Sequence, residues 1–235
     1  AVLAPLGADA ADEAGLLAER SAGNPLFLTE LGAVAAGHGG VAGLPGSIEG
    51  VVTERIDALR AGDRRLLREA AVLGSSVDLD VLAGVLQDAR VRDDATWAPM
   101  GELVEREGGR IVFRHALFHE VAYAGLSYRR RREMHERAGL TLEAAPGVAD
   151  ERPEVLSRHF HEAGDHARAW RYSLAAAERA RERFAARIAA DLYERALAGA
   201  AHLDVPAHEL ARVAETMGDV CETAARYEQA SRAYG

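Results

Sequence analysis

Lysine is missing from this chain. All 28 basic residues are arginine, a skew that, alongside 23 glycines and abundant alanine, reads as the codon bias of a GC-rich genome rather than as function. The single cysteine, Cys221, leaves no internal disulfide and no cysteine-rich zinc site, and fits a reducing cytoplasm. No apolar run reaches the roughly 18 to 20 residues that span a bilayer, and Ala1-Val2-Leu3 lacks the basic stretch that opens a signal peptide. There is no phosphate-binding Gly-x-x-x-x-Gly-Lys-Ser/Thr loop, no Gly-x-Ser-x-Gly elbow, no paired-carboxylate setting and no His-Glu-x-x-His. The expectation is a chain that senses and transmits rather than one that catalyses.

What is present is apolar mass and negative charge. With 235 residues, 49% of them hydrophobic, the chain has enough apolar surface for one large core or a few small ones, as in a soluble globular protein. Its formal net charge of −9 makes it a poor general binder of nucleic acid unless its arginines cluster. Both ends read as cuts inside a longer protein, since the chain starts without Met and Glu228 to Tyr234 still follows a helical pattern.

Residues 10 to 36 carry helical periodicity broken at Asn24-Pro25, so one helix is predicted to end near Ser21 and another to begin at Pro25. A glycine-rich linker, Gly37 to Gly46, follows. Helices are then predicted over Ile48 to Leu59, over Asp63 to Leu73 with Asp63 as its cap, and over Leu79 to Leu86, with a further one over Thr96 to Glu105. Gly108-Gly109 turns the chain into the strand Arg110 to Phe113. Helices followed by a small hairpin make a winged helix the economical reading, extended by helices over His115 to Leu126 and Tyr128 to Ala144. Pro146-Gly147 marks a boundary, and from Pro153 onward every segment is helical. Gly164-Asp165 and Gly218-Asp219 both follow an apolar helix, where glycine suits a left-handed end and aspartate the next cap. This last region resembles tetratricopeptide repeats in degenerate form.

The fold class predicted is mainly α: residues 1–45 a lid remnant, 46–146 a winged-helix-like domain with a helical extension, and 147–235 a superhelix of α-hairpins.

Two strings bear on function: Gly23-Asn24-Pro25-Leu26-Phe27-Leu28, and Phe113-Arg114-His115-Ala116-Leu117-Phe118-His119-Glu120. With the Arg-rich helix after the second, they resemble the nucleotide-sensing half of STAND-class signal-transduction ATPases, such as those fused to LuxR-type transcription regulators or nucleotide cyclases. The resemblance covers nearly the whole chain, from the end of the lid to the start of a tetratricopeptide sensor. It implies that Pro25 packs on the adenine ring of bound ADP or ATP, that Gly23 permits close backbone approach, and that His115 contacts the β-phosphate. In place of the family's Met-His-Asp string this chain has Arg114-His115-Ala116, which keeps the histidine and changes its neighbours. The resemblance further implies an upstream ATPase domain that supplies most phosphate contacts, and an inducer or protein partner at the repeats.

Each motif has a plainer reading beside this one. Gly23 to Pro25 also suits a proline-initiated helix after a glycine cap, and His115 a strand-to-helix junction. His115 and His119 stand at i and i+4 like zinc ligands, but no third ligand is evident. His159, His161 and His166 are loosely arranged about a turn. Arg129 to Arg132 reads first as a solvated helix face pairing with Glu133 and Glu136. The helix Leu79 to Gln87 has no basic residue and carries Asp80, unlike an element that reads DNA. A nucleotide-independent repeat scaffold and direct DNA binding by the winged helix remain the alternatives.

Overall fold

The computed structural model describes residues 25–38 and 47–234, together with Leu17 and Ser21. They are mainly helical, with one small antiparallel sheet. They divide into two compact units, one holding the described residues up to Leu79 with Ala89–Ser127, the other Asp80–Asp88 with the chain from Tyr128 onward.

In the first unit Pro25 opens helix α1 (Pro25–His38), where its locked φ and missing N–H are tolerated. Of the predicted linker, Gly37 and His38 fall within α1, and residues 39–46 lie outside the described ones. Ser47 caps α2 (Ile48–Ala58) by accepting the Gly50 amide at 3.2 Å. Leu17, Phe27, Leu31 and Val51 share one core, and Arg55 of α2 pairs with the buried Glu30 of α1 and with Glu102. The next helix, α3 (Ala61–Ala71), starts two residues before the predicted one. Arg60 stands at its cap without a side-chain bond, and Asp63 sits inside the first turn, where a carboxylate still favours the helix dipole.

The sheet has the order β1-β3-β2, from β1 (Ser76–Asp78), β2 (Val104–Glu107) and β3 (Arg110–Phe113). Val77 pairs with Ile111 across β1 and β3, and Val104 with Phe113 across β2 and β3, so these buried side chains line one face. Gly108, with φ +59°, makes the two-residue hairpin turn that only glycine enters without strain. The predicted helix over Thr96 to Glu105 does not form. In its place stand a single helical turn, α5 (Asp94–Trp97), a 3-10 turn at Ala98–Met100 and strand β2. Pro99 has no amide with which to continue an α-helix, the indole N–H of Trp97 is held 2.7 Å from Val91 O, and Val104 gains a buried partner in β3. Helix α6 (Ala116–Ala124) then packs on α2 and α3 through Phe118 and Ala122.

The second unit begins with α4 (Leu79–Leu86), whose Val81 packs with Leu142, Leu156, Phe160 and Tyr172. From α7 (Tyr128–Glu143) the chain makes one turn, α8 (Val148–Glu151), and then α9 (Pro153–Ala163), α10 (His166–Glu182), α11 (Ala186–Ala200), α12 (Ala207–Thr223) and α13 (Tyr227–Tyr234). α9 packs on α7, and each later helix packs on the one before it. Alanines fill the seams: Ala176 and Ala177 of α10, Ala189 and Ala190 of α11 and Ala230 of α13 are buried with Tyr193, Val213 and Cys221.

Helices α4, α9, α10 and α12 end alike. Gln87, Gly164, Phe184 and Ala225 are left-handed, and in each case the following amide bonds back to the carbonyl five residues earlier, at 3.1, 3.0, 2.9 and 2.8 Å respectively. Gly164-Asp165 forms its predicted turn: glycine takes φ +72°, and the Asp165 carboxylate accepts the Arg168 amide at 3.0 Å. Gly218-Asp219 does not. Both residues lie inside α12, where Gly218 is buried, and the chain turns at Ala225 instead.

Candidate functional site

The junction between β3 and α6 places His115. Its backbone is extended, with φ −138° and ψ 145°, and it occupies the cap position of α6 without a side-chain capping bond. Its carbonyl accepts the Phe118 amide at 3.0 Å, and its ring packs edge-on against Phe118 with centroids 5.0 Å apart. The ring is exposed, and no described residue gives either of its nitrogens a hydrogen bond. Beside it Arg114 is occupied, donating to Gly101 O at 2.9 Å and pairing with Glu105 at 2.8 Å. A free imidazole at a helix start, next to amides not used within the helix, has the donors an anionic oxygen needs.

Pro25 is exposed at the first position of α1, and its carbonyl accepts the Thr29 hydroxyl at 2.9 Å. Among the described residues no hydrogen bond or ring contact links it to His115. Gly23 lies outside the described residues.

His119 has structural work. Its Nε2–H donates to Ala71 O at 2.9 Å, tying α6 to the end of α3, and its ring lies between Phe113, edge-on at 5.4 Å, and Tyr123, stacked at 6.4 Å.

The arginine run opens α7. Glu133 takes both Arg130 and Arg137 at 2.7 Å, and the Arg130 bond leads the influences that hold its carboxyl below the usual range. Glu136 makes no ion pair among the described residues, so the expected pairing holds for one of its two carboxylates. Arg132 donates to Ala163 O at 3.0 Å, serving the carbonyl end of α9.

One polar pair escaped sequence reasoning. His135 and His159 are both buried, with their Nδ1 atoms 2.9 Å apart. Burial pushes the His135 pKa down to about 4, with Arg158 and Arg131 adding to it; burial and then the charge on His135 push His159 down to about 3. The available signal was that each follows an apolar stripe, Met134 and Ala138 on α7, Leu156 and Phe160 on α9.

A shallow cavity is present in each unit. One, of about 250 Å³, is lined by Trp97, Val104, Ile111 and Arg114 in the first unit. The other, of about 200 Å³, lies among α11, α12 and α13 and is lined by Leu197, Met217, Cys221, Glu194 and Arg232. Among the described residues no group of three or more His, Cys, Asp or Glu is placed to hold a metal, and no helix is long and apolar enough to cross a membrane. No protein-family model matches the chain, and no curated protein or solved structure matches it.

Proposed function

We propose that the chain is the regulatory, non-catalytic part of a cytoplasmic STAND-type ATPase, in which His115 and Pro25 read ADP or ATP held by an upstream domain and helical repeats read an inducer or partner. The observation that carries this is His115: an exposed imidazole, free of protein hydrogen bonds among the described residues, at the exit of β3 and the start of α6. A phosphate oxygen there would accept from the ring and from the unused amides of the first helical turn.

The winged-helix reading draws on chain order: α3, β1, then helices, then the β2–β3 hairpin, whose inner strand also pairs with β1. The repeat reading draws on the spacing of helix starts. Pro153 and Ala186 stand 33 residues apart, close to the ~34 of a tetratricopeptide unit, while Tyr227 follows Ala186 by 41, an uneven repeat. Winged-helix DNA binding is not favoured. The segment leading into the hairpin is broken into single turns, and Arg90 and Arg92 are balanced there by Asp93 and Asp94.

The test is calorimetric ADP binding to the chain extended upstream through an ATPase domain, compared with His115→Ala and Pro25→Ala. Loss of a charge-assisted bond at His115 is expected to weaken ADP by about ten- to a hundredfold. If ADP does not bind, or neither substitution changes its affinity, a nucleotide-independent repeat scaffold replaces this reading.

A further inference from the structure

Arg195 of α11 carries a half-buried guanidinium that, among the described residues, no carboxylate pairs with. Its one hydrogen bond goes from Nη1 to Ser157 Oγ, 3.1 Å away on α9, and Ser157 Oγ is in turn 2.8 Å from Ser173 Oγ on α10. Both serines are buried. Two other part-buried arginines do have carboxylate partners: Arg55 has Glu30 and Glu102, and Arg68 has Asp57.

The surroundings add positive charge without neutralising it. Arg158, His161 and Glu162 share one face of α9 at i, i+3 and i+4. Arg158 has no hydrogen bond or ion pair among the described residues. Asp191, one turn before Arg195, is occupied by Arg226 at 2.6 Å. Glu162 is the remaining carboxylate nearby, and it attracts Arg195 without forming a pair. Burial pushes the Arg195 pKa down even so, and burial followed by the Arg195 charge does the same to His161. A cation held partly out of water beside another cation destabilises a fold unless an anion joins it. The serine pair holds the guanidinium by one nitrogen, and its other N–H groups make no hydrogen bond among the described residues, in the planar fork that suits two oxygens of one group.

We propose that the face formed by α9 and α11 binds a ligand through an oxyanion group, a carboxylate or a phosphate, with Arg195 as the bidentate fork and Arg158 as the second cation. The proposal stands whether or not Pro25 and His115 read a nucleotide.

The experiment is thermal unfolding of the 235-residue chain in inorganic phosphate, in tricarballylate, and in sodium chloride of matched ionic strength, with Arg195→Gln and Glu162→Gln beside the parent. At tenfold excess over the dissociation constant the anion is expected to raise Tm by about 3 °C above the chloride control. A response to phosphate alone marks a phosphorylated ligand, and one to tricarballylate alone a carboxylate. Arg195→Gln is expected to weaken the response at least tenfold while its ligand-free Tm is no lower than the parent's, because it removes an unneutralised cation. Glu162→Gln is expected to strengthen the response, because it removes a repelling charge. If neither anion raises the parent's Tm, or if Arg195→Gln responds as the parent does, the proposal is overturned.

Discussion

Nδ1 of His135 and Nδ1 of His159 face each other at 2.9 Å between α7 and α9, so one ring must donate and the other accept. The acceptor is therefore neutral, and burial keeps the donor neutral as well at pH 7, whereas in the unfolded chain each ring takes up a proton near pH 6.5. Their folded pKa values lie lower, at about 4 and about 3, so the unfolded state binds more protons as the pH falls. The stability that neutrality contributes is complete above about pH 6.5 and is lost progressively from there toward pH 4, at roughly 1 kcal/mol per pH unit for each ring. Chemical denaturation between pH 7.5 and 4.5 measures this. Replacing both rings, His135→Leu with His159→Leu, is expected to flatten the curve. An unchanged slope would show that other groups set the acid sensitivity.

The left-handed residues at helix ends make a paired prediction. Phe184 holds φ +58° with its side chain 95% exposed, so little packing offsets its backbone strain. Phe184→Gly is expected to stabilise the chain by about 1 kcal/mol. Gly164 has φ +72°, and an added Cβ would lie 2.5 Å from Nη2 of Arg132. Gly164→Ala is expected to cost about 1 to 2 kcal/mol, because it adds strain and displaces the guanidinium from Ala163 O. Urea midpoints that move the same way for both variants would refute this account of the turns.

These turns also show where the sequence is legible. Gly164-Asp165 and the start at Pro25 could be read because each residue has a backbone preference strong enough to act alone. Gly218-Asp219 has the same letters, but burial of Gly218 within α12 outweighs its preference, and Phe184 and Ala225 take left-handed ends that no glycine advertises. β2 was missed because four residues carry little periodicity and its existence depends on β3. Where His115 sits was legible from the strand before it and the helical pattern after it. The contacts His135–His159 and Ser157–Arg195 span 24 and 38 positions, and only tertiary packing brings them together.

Gly139 of α7 is buried where α9 comes closest. A Cβ there would lie 2.8 Å from Cε1 of Phe160, whose ring is itself fixed by stacking on Tyr172 at 5.7 Å. Phe160 is fully buried and cannot swing aside as an exposed side chain would. Gly139→Ala is therefore expected to cost about 1 to 3 kcal/mol through overpacking, despite alanine's better helix propensity. A stabilised variant in equilibrium unfolding would mean that α7 and α9 are less closely packed.

Asp165 is the junction between α9 and α10, and its cap and its charge can be tested apart. Burial acts to raise its pKa, but the hydrogen bonds from the Arg168 amide and guanidinium outweigh it and hold the carboxyl below the usual range. Because the folded pKa is depressed, this stability is present above about pH 4 and is lost as the pH falls through the folded value. Asp165→Ala removes cap and charge together and is expected to cost about 1 to 2 kcal/mol at pH 7. Asp165→Asn keeps an oxygen for the Arg168 amide and loses only the exposed, screened attraction to Arg168, so its cost is expected to stay below about 1 kcal/mol. Equal losses for the two variants in urea denaturation would assign the contribution to charge rather than to capping.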